Sequence, residues 1–432
     1  MDRREFLLNT AKASGVVLPW YGLLPLTNIA NAQSAAGKLL VYYHCDGGWD
    51  HDSWSDPAIG AGVNNYTTQG LAVPRVGKMA IAPMGNAGSN AAFLQRFNSQ
   101  LIFVNGVNTQ TNSHEDGSFC ASTGRLEMGY APICELHAAK YGPGFPAAWI
   151  ARDDARATAS TGLVTATPVP DGNQLRAMVL PNAASATQDR MKQADYQKTI
   201  AARDARLQAL KASGVSLPKE SLITEQFLQG KEARVRLEAV AALIPATFTQ
   251  QFADIEVTAI AMQAGITAAA QITSGGFDVH GNVEDMNGAN GALVRMSSRL
   301  TFLMDEAQRR GIADRLLVVV SAEFGRTLLN GSGGKDHNNV GGSYTIILPP
   351  GTGLGDRTVG YTGPRHEQRT INPTTGAPDP NGIVLNPRHV HTAVHEYLGF
   401  TSSAPGGLGV PAAEKLKLFS ATCQTGHPSL PA

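Results

Sequence analysis

The chain has 432 residues, and its 35 lysines and arginines are balanced by 35 aspartates and glutamates, so its formal net charge is zero. That balance argues against a nucleic-acid binder, which concentrates positive charge to neutralise phosphates. Charged residues make up 16% of the chain and hydrophobic ones 43%, so the sequence can bury a large core and is too apolar for a disordered chain.

Residues 1 to 34 contain the pair Arg3-Arg4, an apolar stretch from Gly15 to Leu26 broken by Pro19, and Ala30-Asn31-Ala32, a small-x-small cleavage pattern. The stretch is too short and broken for a good membrane span. It reads as a signal peptide over residues 1–32, and RREFL resembles the twin-arginine export signal. The expected location is therefore periplasmic or extracellular, with the export machinery as partner and no transmembrane span left after cleavage. Four cysteines, Cys45, Cys120, Cys134 and Cys423, are too scattered for a disulfide framework, although export leaves room for one or two bridges.

The rest, 33–432, opens with an apolar strand over 38 to 44 that runs into CDGGWDHD. A second strand, LIFVNGV over 101 to 107, leads through a polar loop to a short helix that stops near Gly124. Charged helical stretches mark 187–270 as a helical insertion. The strand pattern returns at QITSGGFDVH, over 271 to 280. Leu293, Met296, Leu300, Leu303 and Met304 recur at helical spacing, and the β-branched run over 315 to 326 suits a central strand buried on both faces. A Gly-rich loop and a strand over 343 to 350 follow. Residues 356 to 386 read as surface loop, and 387 to 399 as a helix begun by Pro387 and ended by Gly399. Alternating strands and helices predict a three-layer αβα architecture.

Carboxylates and imidazoles collect at the ends of these elements. Asp46, Asp50, His51 and Asp52 follow the first strand; His114, Glu115 and Asp116 follow the second; Asp278 and His280 follow the third. Glu323 ends the fourth, Asp336 and His337 lie in the Gly-rich loop, and His389, His391 and His395 lie on the last helix. Mixed Asp/His sets suit zinc-like or manganese-like ions, and a sheet with its strand ends on one edge would bring them together. Asp278 and His280, at i and i+2 of an extended segment, could chelate one ion. Arg326 suits bidentate binding of a phosphate or sulfate oxygen pair, or a salt bridge to Glu323 or another acidic residue near the strand end. Trp49 and Trp54 read as packing under the loop, and Cys45 as a buried small hydrophobe.

The block VVVSAEFGRTLLNGSGGKDH, with SGGFDVH before it and an early strand ending in GGWD, resembles twin-arginine-exported proteins of unknown function grouped in the alkaline phosphatase and sulfatase superfamily. The resemblance implies an alkaline-phosphatase-like sheet domain holding divalent ions, with zinc, manganese, calcium and magnesium all open. It implies a metal set drawn from Asp46, Asp50, Asp278, His280, Glu323, Asp336, His337 and His391. It also implies a hydroxyl nucleophile at the start of the helix after the second strand, where Ser113 is best placed and Thr109, Thr111 and Ser118 are alternatives. His114 would orient or protonate the ester, and Arg326 would contact the transferring group. The expected activity is metal-dependent hydrolysis of phosphate or sulfate esters, on a small molecule or a polymer. The alternatives are a non-catalytic envelope or assembly protein that kept the fold and a polymer-binding protein using the same edge.

Overall fold

The computed structural model describes residues 38–60, 62–83, 89–152, 161–168, 171–214, 239–400, 407–423 and 426. The expected signal peptide at 1–32 and the stretch 215–238 of the expected insertion lie outside these residues.

Strands β1 (Leu39–Cys45), β2 (Leu101–Val107), β3 (Trp149–Ala151), β4 (Thr167–Pro168), β5 (Ala269–Ser274) and β6 (Leu316–Ala322) belong to one sheet. A separate antiparallel hairpin of β7 (Gly325–Leu329) and β8 (Lys335–Asn338) follows β6. The chain then re-enters the sheet through β9 (Gly342–Ile347) and β10 (Arg357–Val359). The eight strands run in the order β10-β2-β9-β6-β1-β5-β3-β4. Only β9 runs against its neighbours, β2 and β6; the other pairings are parallel.

All seven residues of β1, LLVYYHC, are buried, as expected of a strand covered on both faces. Leu39, Val41, Tyr43 and Cys45 enter one core, with side chains of α1 (Ser89–Phe97), α6 (Ala253–Gln263) and α7 (Ala292–Arg309). Leu40 and Tyr42 enter a second, with side chains of α3 (Ile133–Tyr141) and α8 (Pro387–Tyr397). Helix α2 (His114–Thr123) lies against α8 on that second face. The period-2 alternation of the strands thus separates the two helical layers, and the result is a mostly parallel sheet flanked by helices. Helix α4 (Gly172–Val179) joins the first layer, whereas α5 (Gln193–Ser213) buries none of its residues.

Three local features differ from the sequence expectation. The run over 315 to 326 is not one strand: β6 ends at Ala322, and the chain turns through Glu323 and Phe324 into the hairpin. Gly325 permits this because a Cβ there would stand 2.1 Å from the carbonyl oxygen of Gly341. The supposed surface loop over 356 to 386 contributes β10 to the sheet edge, where Thr358 pairs with Phe103. All four cysteines are buried and unpaired, so neither of the bridges that export would allow is present.

Because β1, β2, β5 and β6 point the same way, the loops that follow them open onto one edge of the sheet. Leu300 anchors the helix covering the first face and is fully buried. Leu300→Ala should cost roughly 2–5 kcal/mol, transfer and cavity terms together, measured as a lower urea midpoint with an unchanged m-value.

Candidate metal centre

Four pieces of chain meet at this edge: the N-terminus of α2, the extended segment after β5, the end of β6 and strand β8. They bring His114, Asp278 and His337 together with their ligand atoms within 4.8 Å of one another. His114 Nε2 lies 3.6 Å from Asp278 Oδ2, and His337 Nε2 lies 3.1 Å from Asp278 Oδ1. His280 adjoins the set, with Nε2 at 2.9 Å from Asp278 Oδ1 and Nδ1 at 3.1 Å from Asp336 Oδ1.

The far side of each of the two imidazoles is held by an acceptor. His114 Nδ1 is 2.5 Å from Glu323 Oε2, and His337 Nδ1 is 3.0 Å from the carbonyl oxygen of Asn112. An acceptor facing Nδ1 calls for a proton there, and a neutral imidazole then presents a lone pair at Nε2. Both Nε2 atoms therefore point their lone pairs at the Asp278 carboxylate. Three acceptor groups facing one another repel unless a proton or a cation lies among them, and a divalent ion satisfies all three. Backing of each ligating imidazole by a carboxylate or carbonyl is also how proteins orient such ligands. The donor set thus fits a metal, and its mixed N/O character suits zinc or manganese.

Glu323 is fully buried. Its second oxygen accepts from Ser118 Oγ at 2.7 Å and lies 3.8 Å from His44 Nε2. Burial pushes its pKa up, but the nearby His44 ring, with hydrogen bonds from His114 and Ser118, more than offsets this and brings it down to about 2. His44, Asp46 and Glu323 form a second group whose ligand atoms lie within 4.8 Å of one another. The Asp278 carboxyl is likewise held below its ordinary value: burial raises it, and the hydrogen bond and charge of Arg326 more than offset that.

Of the residues expected at the site from sequence, Asp278, His337 and His114 are brought into one cluster, with His280 and Asp336 on its exposed lip and Asp46 and Glu323 beneath. His114 enters as a member of the ligand group rather than only as a contact to an ester. Ser113 is the N-cap of α2, its Oγ accepting from the Asp116 N–H at 3.4 Å. Asp50 is not brought to the cluster: it is 1% exposed and bound by Lys335 Nζ at 3.0 Å and by the Ser53 hydroxyl.

Arg326 does not face an open site. Its Nε donates to Gly48 O at 2.7 Å, Nη1 to Lys335 O at 3.3 Å, and Nη2 to Gly47 O, to Phe277 O at 2.9 Å and to Asp278 Oδ1 at 2.8 Å. His391 is elsewhere as well. It sits in the core between α2 and α8, with Nε2 2.9 Å from the carbonyl oxygen of Ala121, seven residues and roughly 10 Å along α2 from His114. Burial and the neighbouring His395 bring its pKa down to about 3, so it is a neutral core histidine. His44 and Lys335 are the residues that the sequence did not single out. The first lies inside an apolar strand, and the second is a lysine in a Gly-rich stretch that reads as solvated.

Residues 134–348 match the family described as protein of unknown function (DUF1501). No curated protein matches the chain. Among solved structures, the chain is similar to the PsFucS1 sulfatase from Pseudoalteromonas sp., with 9% identity, a TM-score of 0.40, and coverage of 93% of this chain and 76% of that one. It is also similar to Ps i-CgsB, with 8% identity, a TM-score of 0.41, and coverage of 90% and 77%. The same protein in complex with k-i-k-neocarrahexaose gives 8% identity and a TM-score of 0.38 over the same shares.

The depressed Glu323 pKa has a definite sign. A carboxyl lowered on folding adds stability that is complete above its unfolded value, near 4.5, and is lost as pH falls through the folded value near 2. Glu323→Gln should therefore flatten the acid limb of the stability curve between about pH 4.5 and 2, removing roughly 3 kcal/mol of pH-dependent stability. Chemical denaturation at stepped pH reads this directly, and parallel acid limbs for both proteins would refute the role given to Glu323.

Proposed function

We propose that His114, Asp278 and His337 hold a divalent cation and that the protein is an exported metal-dependent hydrolase of phosphate or sulfate esters. The observation that carries this reading is the pinning of both imidazoles from behind, by Glu323 and by the Asn112 carbonyl, which turns three acceptors toward one point. A bound dication would supply Lewis acidity to an ester oxygen and lower the pKa of a hydroxyl.

The chain's own groups supply the rest. Glu323 fixes the tautomer and orientation of His114. Arg326 fixes the Asp278 carboxylate and keeps it ionised. His280, with Asp336 behind its Nδ1, stands on the open lip and can hold a proton close to a leaving group. Ser113 lies at the N-terminus of α2, where free amides and the helix dipole favour an anionic oxygen, and it is the proposed nucleophile. A second reading, a non-catalytic envelope protein that kept the fold and a metal, is favoured by one observation: the guanidinium of Arg326 is fully buried and turned to carbonyls and Asp278, so it does not face an ester.

Metal analysis of the full-length protein, together with a panel of phosphate and sulfate esters, tests both readings. Wild type should retain one or more divalent ions. Asp278→Ala should abolish retention, Glu323→Gln should weaken it by roughly 10–100-fold, and ester turnover should fall with metal content. Ser113→Ala should lose turnover while keeping the metal; if it keeps turnover and loses only about 1 kcal/mol of stability, Ser113 is a cap alone. A metal-loaded protein inert toward every ester would favour the non-catalytic reading.

No helix among the described residues is long and apolar enough to cross a membrane. The proposed route is twin-arginine export with cleavage after Ala32. Replacing Arg3 and Arg4 with lysine should leave the precursor in the cytoplasm, followed by fractionation and immunoblotting; unchanged export of that variant excludes the route.

A further inference from the structure

Behind the cluster lies a second set of charges that takes no part in it. Lys335 is 2% exposed, with its ammonium 3.0 Å from Asp50 and 2.5 Å from Asp52 Oδ2. Asp52 Oδ2 also lies 3.0 Å from His366 Nε2, and His366 Nδ1 is 3.0 Å from the Arg326 carbonyl oxygen. The Ser53 hydroxyl donates to Asp50 and is itself met by Asn287 Nδ2 at 3.1 Å. His366 takes this place with φ 57°, a left-handed conformation that a non-glycine residue holds only where its surroundings fix it. Two carboxylates around one point make a cation site, which the chain fills from within, while the Ser53 hydroxyl and the His366 imidazole hold those carboxylates from the side.

We propose that Lys335 is a built-in cation: its ammonium occupies a buried cation site formed by Asp50 and Asp52, and by anchoring β8 there it positions His337 in the metal cluster. The two residues are two apart on β8, and the pairing of β8 with β7 shifts register between them, a bulge of the kind that re-aims a side chain. Lys335 O also accepts from Arg326, so the anchor joins the loop after β1 to both strands of the hairpin. Lys335 is thus a positioning residue, acting on the cluster through the backbone of β8. The inference rests on the metal reading for its effect on the cluster and is independent of it for the cation site itself.

Lys335→Ala in the full-length protein removes Cγ to Nζ, which is the size and charge of n-propylammonium. The variant should melt lower than wild type. Millimolar n-propylammonium should raise its Tm, n-propanol at the same concentration should not, and wild type should respond to neither. Zinc affinity, read by competition with a chromophoric chelator, should fall roughly 10–100-fold in the variant and recover with the amine. Amine and alcohol acting alike on Tm would overturn the cation site. Unchanged zinc affinity in a variant whose Tm the amine rescues would overturn the positioning role. If wild type itself takes no zinc, the metal reading fails and the Tm comparison alone decides the cation site. Should Lys335→Ala not fold, Asp52→Asn answers instead: it should lower Tm and zinc affinity together, and wild-type values for both would overturn the proposal.

Discussion

The edge of this sheet depends on one buried guanidinium. Arg326 draws together the carbonyl oxygens of Gly47 and Gly48 after β1, of Phe277 after β5, and of Lys335 across the hairpin, and it ends on the Asp278 carboxylate. The first three carbonyls lie in loops outside the strand ladders, and a buried carbonyl without a donor is costly. Arginine can serve them all because its donors are fixed in one plane and its charge persists at every relevant pH. The position of the Asp278 carboxylate follows from that arrangement, and so does the point toward which the imidazoles turn.

The charges around this edge are layered. Lys335 neutralises Asp50 and Asp52 at the bottom, Arg326 reaches from the interior to Asp278, and Asp278, His280 and Asp336 lie nearest to solvent. Buried carboxylates without partners would take up protons instead of staying ionised. Here Asp50 and Asp52 meet the Lys335 ammonium, and Asp278 meets the Arg326 guanidinium. Glu323 belongs to the same scheme: hydrogen bonds from the Ser118 hydroxyl and the His114 imidazole stabilise its charged form.

Much of the sheet was legible in sequence because its central strands are covered on both faces and read as apolar runs; LIFVNGV and the helix carrying Leu293 to Met304 are two cases. Strand direction was not legible: nothing in SYTIILPP distinguishes an antiparallel β9 from a parallel one. The turn that follows β6 was hidden, because the run over 315 to 326 reads through Glu323 and Phe324 as one strand. At the site, acidic and imidazole residues at strand ends pointed to His114, Asp278 and His337, since parallel strands bring their ends together. His391 shows where this logic stops. A histidine on a helix face gives the same pattern whether it meets a metal or a neighbouring helix, and only packing decides. Lys335 and His44 left no signal, because burial of a lysine in a Gly-rich hairpin comes from tertiary contacts that span almost 300 positions.

The four thiols carry a consequence for how the chain reaches its final state. Cys45, Cys120, Cys134 and Cys423 are each enclosed in packed surroundings and apart from one another, and burial pushes the Cys120 thiol up to about 12 and the Cys423 thiol up to about 11. Such groups are poor nucleophiles toward oxidants. No covalent step therefore has to follow the packing of the core, and the described structure can form completely in a reducing environment and stay chemically the same in an oxidising one.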